Sequence, residues 1–175
     1  MHIAKKTEID KQSIRLAAKN IDDGAVTAGY KADRDEVVKM LNEALATEMV
    51  CMLRYLRHYY TVVGLHNRPV KAEFLKHALD EQDHAYELAE RIVQLNGKPD
   101  FNPETLLLRS HSEYNESDNI HEMIKSNLVS ERIAIETYRQ MIENLADTDP
   151  TTKNMLIGIM TTEEEHADDM RDLLS

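Results

Sequence analysis

LDEQDHAYELAERI, residues 79–92, carries an acid and an imidazole three positions apart, Glu81 and His84, in the middle of a helical pattern. Apolar residues return at Phe74, Ala78, Ala85, Leu88, Ile92 and Leu95, the alternating three–four step of a helix with one face turned to a core. Glu81 and His84 share that face, because residues three apart on a helix differ by about 60° around the axis and ~4.5 Å along it. TTEEEHADDM, residues 161–170, repeats the pair as Glu163 and His166. ATEMVCMLRY (46–55) and SERIAIETY (130–138) each add one glutamate, Glu48 and Glu131, on an apolar stripe. The spacing is matched: 33 residues separate Glu48 from Glu81, and 32 separate Glu131 from Glu163.

Each of the four groups has its own predicted helix. The first starts at an Asp33 cap with Glu36 three residues on and ends near Gly64; its stripe is Val37, Leu41, Ala44, Glu48, Met52, Tyr55 and Tyr59. The second runs from about Pro69 to Leu95 and closes at Asn96-Gly97. The third extends from a cap near Ser117 to Leu145, and the fourth from about Pro150 almost to the last residue. Few residues join the first helix to the second or the third to the fourth, whereas GKPDFNPETLLLRSHSEYNES separates the middle two. Short loops make antiparallel neighbours, and a long one crosses the length of a bundle. The fold expected is all-α: a four-helix bundle of two antiparallel hairpins and one crossover over residues 33–175. Residues 1–32 form a short extension, with a small helix between Ile9 and Ala18.

Four buried carboxylates without compensation would cost many kcal/mol or would titrate instead. Two divalent cations balance their charge, and the imidazoles add ligation without charge. One Glu from each of two helices plus Glu-x-x-His from the other two is a ligand set for a pair of metal ions at a bundle centre. Glu81 and Glu163, each beside a His, are the expected bridges; Glu48 with His84 and Glu131 with His166 would complete the two sides. Oxygen-rich coordination with one nitrogen per metal suits two iron ions per subunit, with manganese or zinc also admissible.

The remaining composition narrows the function classes. Scarce Gly (5) and Pro (4) among 175 residues favour helices over sheet. A net charge of −11 argues against a nucleic-acid-binding body and favours attraction of cations. The one cysteine, Cys51, excludes an intramolecular disulfide and a four-cysteine metal site. No apolar run reaches ~20 residues, and MHIAKKTEIDKQ lacks the features of a secretory signal, so a cytoplasmic protein without a membrane span is expected.

On the four motifs quoted, the chain resembles the ferritin-like di-iron carboxylate superfamily, with bacterioferritins and Dps-like miniferritins as the nearest groups. The resemblance covers about residues 33–175. It implies a ferroxidase that oxidises Fe(II) with O2 or H2O2 and stores ferric iron in a homo-oligomeric cage. It also implies a redox role for Tyr55, which stands where bacterioferritins place a tyrosine beside the iron pair. Tyr138 occupies the equivalent place after Glu131. Bacterioferritins bind haem through a Met directly after the second-helix ligand Glu; Gln82 stands there, so no haem is expected. The Dps-like group carries a cysteine pair that is absent here, Ile133 replacing one thiol. Ferritins and bacterioferritins carry a fifth helix, whereas this chain stops nine residues after His166, which favours a 12-mer over a 24-mer. The alternatives are a peroxide-removing di-iron or di-manganese protein that stores nothing, and a DNA-protecting miniferritin.

Other residues carry less. His77, one turn before Glu81, reads either as a packed histidine or as an outer or entry-path ligand, and Asp80 as a ligand-orienting or solvated acid. Cys51 reads as a small buried hydrophobe. Lys5, Lys6, Lys11, Arg15 and Lys19 resemble the basic arms with which some miniferritins hold DNA. Glu8 and Asp10 dilute that charge and the acidic body repels phosphate, so DNA is not an expected partner.

Overall fold

A computed structural model describes residues 9–175. Among them lie six helices: α1 (Lys11–Ala17), α2 (Arg34–Thr61), α3 (Arg68–Gln94), α4 (Leu106–Arg109), α5 (Ile120–Leu145) and α6 (Pro150–Asp172). No strand occurs among these residues, and no helix is long and apolar enough to cross a membrane. The long helices pack as pairs, α2 with α3 and α5 with α6, and the pairs meet through α2–α5 and α3–α6. This is the all-α four-helix bundle that the sequence pattern predicts. Lys5, Lys6 and Glu8 lie outside the described residues.

Each long helix begins where its capping chemistry dictates. Asp33 accepts hydrogen bonds from the N–H groups of Asp35 and Glu36 at 3.0 and 3.3 Å, satisfying otherwise unpaired donors of α2. For α5 the cap is Asn119, two residues later than expected. Its side-chain oxygen takes the N–H groups of His121 and Glu122, while the Ser117 hydroxyl caps only the N–H of Asn119. Asp149 caps α6 through the N–H of Thr152, and Pro150 follows where no N–H is needed.

α3 ends in a Schellman turn. Asn96 adopts φ +62, its N–H bonds Val93 O at 2.9 Å, and the Gly97 N–H reaches back to Ile92 O at 2.9 Å. A Cβ on Gly97 would stand 2.7 Å from both γ-carbons of Val38, so this turn also sets how closely α3 approaches α2.

The crossover is anchored by α4. Leu106 packs with Ala46 and Val50, while Leu107 and Leu108 remain exposed. Arg109 Nη1 and Nη2 donate to Asn42 O and Asp100 O at 3.0 and 2.9 Å, fastening the segment along α2. At the same end of the bundle, Arg91 Nη2 donates to both oxygens of buried Asp149 at 3.0 and 3.1 Å. Tyr30 OH donates to Asp149 as well, at 2.8 Å, which draws the segment before α2 onto the bundle.

The core is layered. One apolar cluster contains Leu41, Leu45, Leu88, Ile92, Tyr138, Leu156 and Ile159; another contains Tyr55, Phe74, Ala78, Met123, Ile124 and Met170. Glu48, Glu81, Glu131 and Glu163 lie between them along their helices. The polar layer is thus sealed at both ends by side chains that exclude water.

Candidate metal centre

α2, α3, α5 and α6 each contribute to this layer. Its six residues are buried: Glu48 and Glu81 are 1% exposed, Glu131 and Glu163 0%, His166 1% and His84 7%. They form two overlapping groups whose candidate ligand atoms all lie within 4.8 Å of one another. Glu48, Glu81, His84 and Glu163 make the first; Glu81, Glu131, Glu163 and His166 make the second. Glu81 and Glu163 belong to both, the arrangement a bridging carboxylate requires.

The polar atoms inside the layer lack partners. Glu48 Oε2, Glu131 Oε2, both oxygens of Glu81 and of Glu163, and Nδ1 of His84 and His166 make no hydrogen bond. His84 Nδ1 lies 2.8 Å from Glu163 Oε1, an ion pair when the ring is protonated, and 3.6 Å from Glu48 Oε2 and Glu81 Oε2. His166 Nδ1 is 3.7 Å from Glu163 Oε2 and 3.9 Å from Glu81 Oε1. Orphaned buried acceptors are costly, each about 1–3 kcal/mol and more when charged. A cluster of them converging on one volume fits cations, and the oxygen-rich donor set with an imidazole on each side fits iron or manganese.

The atoms facing away from the layer are held. Tyr55 OH donates to Glu131 Oε1, and Tyr138 OH donates to Glu48 Oε1. Each tyrosine therefore supports the glutamate of the opposite hairpin rather than the one two turns earlier on its own helix. His166 Nε2 lies 3.2 Å from Asp80 Oδ2, which makes Nε2 the protonated nitrogen and aims the Nδ1 lone pair inward. His77, fully buried, stacks on His166 with ring centroids 3.9 Å apart and joins Tyr55 OH to Asp169 Oδ2 at 3.1 and 3.3 Å. His77 is thus more than a packed ring, and Asp80 takes the orienting role.

Electrostatics follow from this crowding. Burial, then the charges of Glu163 and Glu48, pushes the Glu81 carboxyl well above its ordinary range; burial and Glu163 do the same for Glu131. For Glu163, burial acts in the same sense but is outweighed by contacts to His166 and His84, so it stays ionised below the usual carboxylate range. Burial disfavours a charge on His84, yet attraction to Glu163 and Glu48 prevails and raises it to about 10. His77 moves the other way, lowered to about 4 by burial and by His166.

Arg54 is a buried cation that periodicity alone does not reveal. It is fully buried; Nε donates to Asn127 Oδ1 at 2.8 Å and Nη1 to Ser112 Oγ at 2.9 Å. Its charge lowers the cost of ionising Glu131 and so offsets part of the acidic layer. Cys51 is free and buried, and burial raises its thiol to about 12, the behaviour of an inert core residue. A surface groove of about 770 Å³ beside Met40, Val129, Ile133 and Met141 contains none of the six residues. The six candidate ligands lie in the closed core rather than in that groove.

Residues 38–175 match the family model described as the ferritin-like domain. The chain is 28% identical over 137 residues to a nutrient stress-induced DNA-binding protein of Synechococcus sp., covering 75% of this chain and 77% of that protein. It is 26% identical over 141 residues to a bacterioferritin of Desulfovibrio desulfuricans, covering 79% of this chain and 75% of the relative. Among solved structures, a bacterioferritin-related protein of Bacteroides fragilis, described as a dodecameric thioferritin, superposes with a TM-score of 0.78 at 30% identity, covering 82% of this chain and 87% of the other. The match runs from the first turns of α2 to the last residue and includes all six residues of the acidic layer, and the chain belongs to the ferritin-like domain family.

Proposed function

We propose that this protein is a ferroxidase that oxidises Fe(II) at a dinuclear centre within one subunit and stores the ferric product in a homo-oligomeric shell. The observation that carries the reading is the set of eight unpartnered buried ligand atoms, arranged as two groups that share Glu81 and Glu163. Fe(II) is the substrate. Two ions give up one electron each, and the pair reduces O2 to hydrogen peroxide, or H2O2 to two waters, with uptake of two protons. Glu81 and Glu163, common to both groups, would bridge the ions, with Glu48 and His84 completing one position and Glu131 and His166 the other. We assign Tyr55, whose hydroxyl donates to Glu131, a redox role beside the pair.

Assembly is part of the reading. Leu79, Tyr86 and Val93 recur every seven residues along α3 and are 52%, 52% and 58% exposed, an apolar line with no partner in the single chain. Leu53 and Tyr60 repeat the spacing on α2 at 42% and 75%. A symmetric contact would bury both lines, and the dodecameric state of the Bacteroides fragilis relative supports twelve subunits. A reducing, cytoplasmic setting fits the single buried thiol.

Replacing Glu131 or His84 by alanine should slow Fe(II) oxidation, followed by stopped-flow absorbance under air or with added peroxide, at least about a hundredfold while far-ultraviolet dichroism is unchanged. Oxidation at the parental rate in either variant contradicts the assignment. The name of the Synechococcus relative favours a second reading, DNA binding. Lys11, Arg15 and Lys19 are exposed around α1, but the net charge of −11 opposes it, and a gel-shift assay at physiological salt is the test.

A further inference from the structure

His77 has two nitrogens, and the partner of one decides what the other presents. Tyr55 has a single hydroxyl proton and gives it to Glu131. The 3.1 Å contact between that hydroxyl and His77 Nδ1 is therefore donated by the ring N–H. In the neutral ring Nε2 is then a lone pair, and it faces two carboxylates: Asp169 Oδ2 at 3.3 Å and Glu73 Oε2 at 3.8 Å. Glu73 Oε2 is itself buried without a hydrogen-bond partner, although the rest of that side chain reaches solvent. Three acceptors aimed at one point repel each other unless a cation lies between them. The three residues offer ligand atoms within 4.8 Å of one another, a spacing that suits one ion.

The nearest positive charge is Lys76, whose ammonium lies 3.2 Å from Asp169 Oδ2 and 3.8 Å from Glu73 Oε2 on a side chain 56% exposed. A mobile monovalent group on the solvent side is a weak counter-charge that a divalent ion displaces.

We propose that Glu73, His77 and Asp169 form a divalent-cation site at the rim of the bundle, and that ions pass from it to the dinuclear centre. Binding at the rim stands by itself; the transfer rests on the ferroxidase reading. Continuity supports the transfer, because His77 also belongs to an inner group with Glu131 and His166 whose ligand atoms lie within 4.8 Å of one another. An ion moving inward exchanges Glu73 and Asp169 for Glu131 and His166, with His77 common to both sets. The periodicity of the chain supports such a path: Glu73 and His77 are one turn apart on α3, and Asp169 is one turn beyond His166 on α6.

The test is equilibrium dialysis of metal-free protein against Zn(II), a redox-inert probe, with bound zinc counted per subunit. The Glu73→Gln/Asp169→Asn variant should bind one ion fewer than the parent, and the His84→Ala/Glu131→Ala variant should keep that ion. Lys76→Ala should tighten the rim site by about two- to fivefold, the worth of one exposed ion pair. With Fe(II) as substrate, Glu73→Gln/Asp169→Asn should raise the iron concentration needed for half-maximal rate about tenfold and leave the maximal rate near the parental value. Unchanged zinc stoichiometry and affinity in that variant would overturn the rim site. An unchanged iron dependence in a variant that has lost one zinc would overturn the transfer. If instead the His84→Ala/Glu131→Ala protein binds as many ions as the parent, the dinuclear reading fails while the rim site survives.

Discussion

Tyr55 and Tyr138 show how single residues set the centre. Each hydroxyl fixes one oxygen of the glutamate across the bundle and leaves the other oxygen unpartnered and directed to the layer. Changing Tyr55 or Tyr138 to Phe removes a hydrogen bond to a buried carboxylate, worth about 1.5–3 kcal/mol. Either variant should therefore bind Zn(II) roughly ten- to a hundredfold more weakly by competitive chelator titration, and an unchanged affinity would remove the positioning role. Protonation gives a second residue-level prediction. In the metal-free protein Glu81 and Glu131 hold their protons above the ordinary carboxylate range, and His84, raised to about 10, carries one at pH 7. Ligation needs the deprotonated forms, so ion binding expels protons and apparent affinity falls as pH falls. Indicator-dye titration with Zn(II) in weak buffer should show acid release at pH 7, reduced in the His84→Ala variant; absence of release would show that these groups are not the ligands.

The helices carry their own constraints. Gly97 closes α3 where a Cβ would strike Val38 Cγ1 and Cγ2 at 2.7 Å and Ile92 Cγ2 at 3.0 Å. Gly97→Ala forces α2 and α3 apart and should cost about 1–3 kcal/mol, read as a lowered urea midpoint; an unaltered midpoint would mean the turn has slack. Much at this scale is legible in the sequence. The four periodic stripes, the cap at Asp33, the start of the fourth helix at Pro150 and the six polar intruders all follow from local spacing, and the structure brings those six together. What local spacing does not contain is axial stagger and rotation between helices. Hence the crosswise tyrosine pairs, the stacking of His77 on His166 and the approach of Glu73 to Asp169 are not readable, although each residue sits at a helical repeat from a motif residue. Arg54 escapes notice for another reason: a basic residue between apolar neighbours reads as a surface position until Asn127 and Ser112 are seen to enclose it. The α5 cap was displaced from Ser117 to Asn119 because two candidate capping side chains stand within one turn.

At the scale of the molecule, an acidic layer sealed by two apolar clusters would house the proposed oxidation inside the bundle, without a cleft. The slight exposure of His84, 7%, and the rim at Glu73 and Asp169 are the places where the layer comes near solvent. The exposed apolar lines on α2 and α3 predict that the chain does not persist as a 20.1 kDa monomer. Native mass spectrometry should find a closed assembly of about twelve subunits, and Tyr86→Glu should lower the assembly state; a monomer in the parent protein would refute the shell. The central claim, that six side chains from four helices converge on two ions, is tested most directly by anomalous scattering from crystals of iron-loaded protein collected at the iron edge. Two peaks per subunit about 3.5–4 Å apart, bounded by Glu48, Glu81, His84, Glu131, Glu163 and His166, are predicted. A centre without anomalous density in crystals whose solution counterpart holds iron would contradict it.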